Sequence, residues 1–529
     1  MNQIALGIRE AIHCRYRVSL AIAALIAAAV VYRFSRLVSH DVGWMLTSAN
    51  QFLDGYGRLY QDIFFEVNPP LALFLTFPPV LFARATGLFD VDVLLIYVFL
   101  LASFSLILSA LLLSRMPEID KTLRNLLLLA LALGLFVVPG PDFGQREHFL
   151  LIFTLPYLVL AAVRAQGHRP GIGLGVLCGV SAALGFSLKP HFLLVPALVE
   201  GYLLLRTKRP MQILRSEIIA MALAGFAYAA VIVTVTPEYL TEVVPLALDL
   251  YNDAIRNSLL KVLFRLETVL VPLSITMHVL LRKHQRHPVF GDIFAIAAAG
   301  LYVVYLIQMK GWYYQVLPSL AAGICTLLIA MSGLIEALAG QAGRQKEPRM
   351  GALALVLCLA IVGYSAFHNL SRSGPRSLFA AEMLPIVERH APGGVIYCFS
   401  TNVSTGFPLV NYSRSRWGSR YSTLWPLPGI AKMQAAYQDL DAAERARLSE
   451  METFMRNSVI GELLSHRPDL IILDRRDKKH YFGGLAFDYI EYFSTDPRFR
   501  SFWSEYEQVD DFASFFVFKR RPAVATQGD

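Results

Sequence analysis

Long apolar runs alternate with short polar connections through the first 367 residues of the chain. Eleven of these runs approach or exceed the ~20 apolar residues that a helix needs to cross a bilayer. Their approximate bounds are 18–38, 91–113, 122–139, 149–164, 171–188, 191–205, 217–236, 260–281, 291–308, 315–338 and 350–367. The fifth and sixth are short and could form a tilted pair or a re-entrant hairpin. The pattern predicts a mainly α-helical, polytopic membrane protein with about eleven transmembrane helices.

Composition excludes a soluble protein and argues against nucleic-acid binding. Hydrophobic residues make up 55% of the 529 positions and charged residues only 17%, against about 25% charged in soluble domains. The net charge of +8 comes from basic residues in short loops, where they are topological signals. We therefore expect membrane lipids as partners and no nucleic acid.

The N-terminus could be read as a signal peptide, because three arginines precede an apolar stretch. Those arginines are Arg9, Arg15 and Arg17, and the stretch is "VSLAIAALIAAAVVY". The apolar run continues past any small-residue cleavage site, and Arg33 and Arg36 follow it. We therefore expect an uncleaved first transmembrane helix.

Basic residues predict the orientation, because they accumulate in cytoplasmic loops. Alternate connections carry clusters, namely Arg9/Arg15/Arg17, Arg115/Lys121/Arg124, Arg164/Arg169, Arg206/Lys208/Arg209/Arg215, Arg282/Lys283/Arg286 and Arg344/Lys346/Arg349. The intervening connections hold nearly isolated cations, namely Arg146, Lys189, Arg256 and Lys310. This alternation predicts a cytoplasmic N-terminus and an outer C-terminus.

The connection at 39–90 is then the first outer loop. Its segment "WMLTSANQFLDG" mixes apolar and polar positions and predicts an amphipathic helix in the membrane interface. The segment 69–90 is apolar but contains four prolines and Arg84. Counting it as a transmembrane span would break the charge alternation, so we expect short helices at the outer interface.

The last 160 residues have a soluble character. "AEMLPIVERHAPGG" predicts a helix with a glycine stop, while "VIYCFS", "HRPDLIILD" and "FFVFKRR" predict strands. We expect domain 1–367 in the membrane and domain 368–529 as a small outer α/β domain. This domain has no nucleophile elbow or phosphate loop, which favours a lid or docking role.

Five cysteines are scattered without a C-x-x-C motif, so neither a disulfide framework nor a zinc site is indicated. Chemistry is better sought in the predicted outer loops, since ionisable residues at bilayer depth mark functional sites. The candidates are Asp41, Trp44 and Glu66 in the first loop, Asp142, Gln145, Arg146, Glu147 and His148 in the second, and Lys189, Lys310, Trp312, Tyr313 and Tyr314 farther on.

These residue types suit a phosphate and a hydroxyl group. Isolated cations in apolar surroundings bind phosphate, whereas a carboxylate can accept a proton from a hydroxyl. Other interpretations stay open: Arg146 and Glu147 could simply pair, and Lys310 beside aromatic residues could be part of an interfacial aromatic belt.

The sequence resembles the GT-C glycosyltransferases, in particular the branch of the bacterial lipid A aminoarabinose transferase and the protein O-mannosyltransferases. The resemblance rests on Asp41 after the first span, "YQDIFFEVNPPL" in a long first outer loop, and Asp142 after the third span. That branch often has Lys before the proline, where this chain has Asn68. Motifs cover about residues 1–200; beyond them the resemblance is architectural.

The resemblance implies an inverting transferase in a bacterial inner membrane with a periplasmic C-terminal domain. It would move a sugar from a polyprenyl phosphate to a lipid, glycan or protein acceptor by a single displacement. Asp41 would be the base, and Arg146, Lys189 and Lys310 would bind the donor phosphate. Asp142 and Glu66 would bind sugar hydroxyls or hold a divalent cation. The remaining expected substrate contacts are Trp44, Glu147, His148, Trp312 and Tyr313.

Three other functions fit parts of the pattern. A flippase or transporter usually shows internal repeats and ionisable residues near the middle of the bilayer, and neither is evident here. An oligosaccharide polymerase or ligase would carry a large Arg-rich outer loop deep in the chain, whereas the loop at 237–259 holds only Arg256. A non-catalytic assembly protein would use the C-terminal domain for binding.

Overall fold

A computed structural model describes residues 2–341, 363 and 379–522, which form a mainly helical protein with one small C-terminal sheet. The helices are α1 (Asn2–Phe34), α2 (His40–Leu53), α3 (Leu71–Phe74), α4 (Phe77–Thr86), α5 (Asp90–Leu113), α6 (Lys121–Phe136), α7 (Arg146–Ala165), α8 (Ile172–Phe186), α9 (Leu194–Thr207), α10 (Ser216–Val235), α11 (Val244–Ala254), α12 (Leu259–Leu263), α13 (Leu266–Leu281), α14 (Pro288–Gln308), α15 (Tyr313–Gln341), α16 (379–390), α17 (Leu409–Tyr412), α18 (Leu427–Ala435), α19 (Ala442–His466), α20 (Tyr489–Phe493) and α21 (Pro497–Trp503).

A helix lies at each of the first ten predicted spans, the eighth being broken into α12 and α13. Helices α5, α7, α10, α14 and the first 23 residues of α15 are long and apolar enough to cross a membrane. The segment 69–90 forms the short helices α3 and α4, as predicted, and α4 ends at Gly87 with a φ of 71°. Apart from residue 363, the predicted eleventh span lies outside the described residues, as do Arg344, Lys346 and Arg349.

Helix α10 shows why this chain needs a membrane. Its most apolar window has a mean hydropathy of 2.4, yet only 6% of that window is buried within the protein. Leu223 and Phe226 are 65% and 75% exposed. Water would make such an apolar surface unstable, whereas lipid chains solvate it readily. The protein is therefore an integral membrane protein, as its composition predicts.

The first of two compact units contains most of these apolar helices and comprises Met1–Leu37, Asp92–Ala230 and Asn257–Ser373. Helix α15 packs against α6, α7, α13 and α14, and α7 also contacts α8. Small residues let these helices approach closely: a Cβ added to Gly134 would lie 3.3 Å from Cβ of Ala321.

The second unit joins segments that are far apart in sequence: Val38–Val91, Val231–Arg256 and Gly374–Asp529. The predicted boundary at 367/368 lies near the start of the third segment. The segment predicted to be the first outer loop, however, folds with the C-terminal segment and belongs to this unit. The Phe65 amide donates to the Arg420 carbonyl across 2.7 Å, and the Lys432 ammonium donates to the Ala254 carbonyl across 2.8 Å.

Helix α2 forms where predicted, but its surroundings differ from a membrane interface. Its polar residues Thr47, Ser48 and Gln51 are buried along with its apolar ones. The Asn411 amide of α17 donates to the Gly43 carbonyl and to Thr47 Oγ1, each across 3.0 Å. Protein packing thus replaces the predicted water-facing side of an amphipathic helix.

The sheet has five strands in the order β2-β1-β3-β5-β4. The strands are β1 (Val395–Phe399), β2 (Arg416–Trp417), β3 (Leu470–Asp474), β4 (Tyr506–Phe512) and β5 (Phe515–Arg520). Strand β1 pairs in parallel with β2 and β3, and β5 pairs antiparallel with β3 and β4. All residues of β1 and β3 are buried, consistent with their uninterrupted apolar sequences. The three strands predicted from sequence are confirmed.

Substitution of Gly43 tests the packing of α2 in the second unit. A Cβ there would lie 2.5 Å from Asn411 Oδ1 and 3.2 Å from the Pro408 backbone. We expect Gly43→Ala to destabilise the protein by about 1–3 kcal/mol through overpacking, measured by thermal unfolding in detergent. Gly461→Ala in α19 is the matched control, because its Cβ meets nothing within 4 Å. Equal stability of the two variants would contradict this packing.

Candidate functional site

The loop before α7 places two carboxylates and one guanidinium at a helix N-terminus. A short 3-10 turn, Gly140–Asp142, begins at a glycine with a φ of 52°, and the Gln145 amide donates to the Asp142 carbonyl across 3.1 Å. Asp142 and Glu147 are each 1% exposed, and Arg146 is 6% exposed. The positive end of the α7 dipole stabilises negative charge here.

Arg33, near the end of α1, is a buried cation that sequence reasoning did not single out. Its side chain is 7% exposed, and its guanidinium lies 4.5 Å from the centre of the Tyr32 ring and 5.8 Å from that of Phe143. It also interacts electrostatically with Asp142 and Tyr313. The available signal was its position as an arginine directly after an apolar span.

Lys189 and Glu147 form a buried ion pair. The Lys189 ammonium donates to Glu147 Oε1 across 2.6 Å, with side-chain exposures of 6% and 1%. The other carboxylate oxygen, Glu147 Oε2, accepts no hydrogen bond from the described residues. Glu147 therefore pairs with a lysine from a separate segment of the chain. The Lys189 ammonium also lies 5.7 Å from the Tyr314 ring centre.

Lys310 lies in the tight connection between α14 and α15. Its ammonium is 5.3 Å from the Trp312 ring centre, and its carbonyl accepts a 2.7 Å hydrogen bond from the Asn257 side chain. Gly311 follows with a φ of 66°, which a glycine adopts without strain. Lys189 and Lys310 both interact electrostatically with the His191 imidazole. The two lysines predicted to bind phosphate therefore belong to one neighbourhood.

Two predicted substrate contacts have structural roles instead. Both ring nitrogens of His148 are engaged: Nδ1 accepts from the Gly144 amide across 3.0 Å, and Nε2 lies 2.8 Å from the Leu135 carbonyl. The Tyr313 hydroxyl donates to the Val138 carbonyl across 2.6 Å. Because these polar atoms tie the loop to its own helices, we assign His148 and Tyr313 to positioning the site.

The residues of this cluster are all buried, and most of them are cations. It comprises Arg33, Arg146, Lys189 and Lys310 with Asp142 and Glu147. A second charged network of the first unit joins Arg164 and Arg215 to Glu200 and Glu217. Cations in such apolar surroundings are suited to binding a phosphate.

The other candidates, Asp41, Trp44 and Glu66, belong to the second unit. Asp41 is in the first turn of α2, with its carboxylate 3.6 Å from the His40 ring and its side chain 16% exposed. Glu66 accepts a 2.6 Å hydrogen bond from the side chain of Asn68. Asn68, which stands where the resembling branch often has a lysine, thus donates a hydrogen bond to Glu66.

Trp44 is a packing residue. Its side chain is 1% exposed and its ring is 5.8 Å from Phe64 and 5.3 Å from Phe407, centre to centre. This burial among aromatic rings replaces the predicted contact with a sugar.

The resemblance also raises a divalent cation as a possible partner of the carboxylates. In the part of the chain that the structure describes, no three or more His, Cys, Asp or Glu side chains are grouped so as to hold a metal ion. The two carboxylates of the cluster, Asp142 and Glu147, lie beside Arg33 and Lys189 respectively.

No family model matches the sequence, and neither does any curated protein. Solved structures do match, and the fold is that of the GT-C membrane glycosyltransferases, which confirms the resemblance at the level of fold. The matching structures include ArnT from Cupriavidus metallidurans bound to undecaprenyl phosphate, with a TM-score of 0.55 at 13% identity over 96% of this chain and 98% of that one. The apo state of the same protein gives a TM-score of 0.54 at 13% identity over 94% of this chain and 98% of that one.

Substitution of Glu147 tests whether the buried Lys189–Glu147 ion pair stabilises the protein. Glu147→Gln removes the counter-charge of a buried ammonium and should destabilise the protein by roughly 3–5 kcal/mol. Lys189→Met in the same chain should restore part of this loss, measured by thermal unfolding in detergent. Lys283→Met is the control, because that lysine is exposed. Strictly additive losses in the double variant would show that the pair is not coupled.

Proposed function

We propose that this chain is an inverting glycosyltransferase that uses a polyprenyl-phosphate-linked sugar and works at the outer face of a bacterial inner membrane. The four buried cations of the first unit carry the proposal, because such groups bind phosphate and a lipid-linked phosphate is the anion that fits an apolar helical body. The fold supports it: its relative ArnT holds undecaprenyl phosphate. The acceptor would be a lipid, a glycan or a protein.

The charge change during transfer explains why cations would help catalysis. The acceptor hydroxyl oxygen attacks the anomeric carbon as the bond from that carbon to the phosphate oxygen breaks. The phosphodiester of the donor carries one negative charge. The polyprenyl phosphate that leaves carries more negative charge than that. Arg33, Arg146, Lys189 and Lys310 would stabilise this developing charge more than the ground state, which is the condition for acceleration.

The acceptor hydroxyl must also lose a proton. Asp41 is the proposed base, since it is a partly exposed carboxylate in the first turn of α2. Asp142 and Glu66 are the proposed contacts for sugar hydroxyls, and Trp312 beside Lys310 is the proposed aromatic contact. His148 and Tyr313 would position the site.

Transfer should be measured with purified full-length protein in liposomes that contain radiolabelled undecaprenyl-phosphate sugars and candidate acceptors. Lys310→Met should lower the transfer rate roughly 10²–10³-fold, the usual effect of removing one group that stabilises developing negative charge. Lys261→Met is the matched control, because Lys261 is an exposed lysine of the same unit. Equal rates for both variants would argue against the phosphate role of Lys310.

Asp41→Asn removes the proposed proton acceptor and keeps the shape of the side chain. We expect a loss of roughly 10²–10⁴-fold in kcat with donor binding retained. The exposed Asp439→Asn is the control. A fully active Asp41→Asn protein would exclude Asp41 as the base.

The same vesicles distinguish the alternatives. Movement of intact labelled lipid across the bilayer, without cleavage of the sugar–phosphate bond, would identify a flippase. Transfer of a preassembled oligosaccharide block would identify a polymerase or ligase.

A further inference from the structure

His191 is an ionisable residue beside the cation cluster, and the proposed transfer assigns it no role. It lies in the 3-10 turn Pro190–Leu193 between α8 and α9, and this turn packs against α8, α9 and α14. The centre of its ring is 5.0 Å from that of Phe192. The Lys189 ammonium lies 5.9 Å from the centre of the same Phe192 ring. The imidazole and the ammonium are thus neighbours of one aromatic ring.

Hydrogen bonding gives no structural reason for an imidazole at this position. Neither ring nitrogen of His191 has a hydrogen-bond partner among the described residues; Nε2 is enclosed, whereas Nδ1 is not. His148, by contrast, uses both of its ring nitrogens to hold its loop. Polar side-chain atoms of buried structural residues are usually paired in this way. Because Nδ1 stays open, the His191 ring can exchange a proton with its surroundings.

Two ammonium groups oppose positive charge on this ring. Among the described residues, Lys189 of its own segment and Lys310 of the connection after α14 are the charged groups that act on the imidazole. Burial and then these two cations lower the pKa of His191 to about 4. The ring is therefore uncharged at neutral pH, and an anion placed near the two lysines would reverse the balance.

We propose that His191 is a further donor-binding residue, which is neutral without a phosphate and becomes protonated when a phosphate binds beside Lys189 and Lys310. The phosphate supplies the negative charge that favours an imidazolium. The proton comes from solvent through Nδ1 and returns to solvent when the polyprenyl phosphate leaves. This inference rests on the proposed function, from which it takes the phosphate site.

Proton exchange gives the site an extra cation only while negative charge is present. A buried cation that lacks an anion destabilises a protein, and a neutral imidazole avoids that cost in the free protein. As the sugar–phosphate bond breaks, negative charge on the phosphate grows, so the imidazolium stabilises the departing group more than the ground state.

The sign of the pH dependence follows from linkage. Because a bound phosphate raises the pKa of His191 above its value of about 4 in the free protein, binding takes up a proton. Affinity for the phosphate therefore rises as the pH falls from neutral toward about 4, since in that window the bound form holds the proton and the free form does not.

Calorimetric titration of the purified full-length protein in detergent tests this linkage. The probe is methyl farnesyl phosphate, a prenyl phosphodiester whose own charge does not change between about pH 5.5 and about pH 7.5. It should bind at least roughly 3-fold more tightly at the lower pH, with a heat that depends on the buffer because a proton is taken up. His191→Gln should abolish this pH dependence. His284→Gln, at an exposed histidine of the same unit, should leave it unchanged.

Equal affinity at both pH values in the unaltered protein, or an unchanged pH dependence in His191→Gln, would overturn the role of His191 and leave the proposed transfer standing. Any proton taken up by Asp142 or Glu147 would persist in His191→Gln, so the variant isolates the imidazole. Should His191→Gln lower the unfolding temperature, His191→Asn replaces it and must lose the pH dependence as well. Binding that is linked to pH through His191, without any sugar transfer, would support the role of His191 and exclude the transferase.

Discussion

Charge held inside an apolar helical body is the constraint on which the first unit depends. Such charges are stable only where an opposite charge or a dipole stabilises them. The Glu147–Lys189 pair meets this condition directly, and Asp142 beside Arg33 meets it at longer range. The buried cations are also the groups that a lipid-linked phosphate would contact, which is why the donor site is proposed here.

The helices were predictable because membrane solvation imposes a simple rule on sequence. Each segment had to be apolar for long enough to satisfy its own backbone, and ten predicted positions carry helices as a result. Strands β1, β3 and β5 were equally clear, because their apolar runs are bounded by turn residues. Burial of α2 was harder to predict from the sequence. Its alternating pattern fits both a helix on a membrane surface and a helix covered by Asn411 and Phe407.

The candidate site was predictable by residue type and loop, but not by partner. Loop position identified Asp142, Lys189 and Lys310, whereas pairing of Glu147 with Lys189 required the two segments to meet in space. Arg33 was missed because one arginine after an apolar span is also a common topological signal. His148 and Trp44 resembled ligand contacts by composition, and only their hydrogen bonds and ring packing reveal their structural use.

The discontinuity of the second unit has a consequence for biosynthesis. Its first segment, Val38–Val91, leaves the ribosome long before Gly374–Asp529, which supplies its packing partners. Until translation nears completion, the buried face of α2 has no native neighbour from α17 to cover it. This unit therefore completes its folding late in translation. A nascent chain that stalls early would expose the normally buried face of α2 to chaperones and proteases.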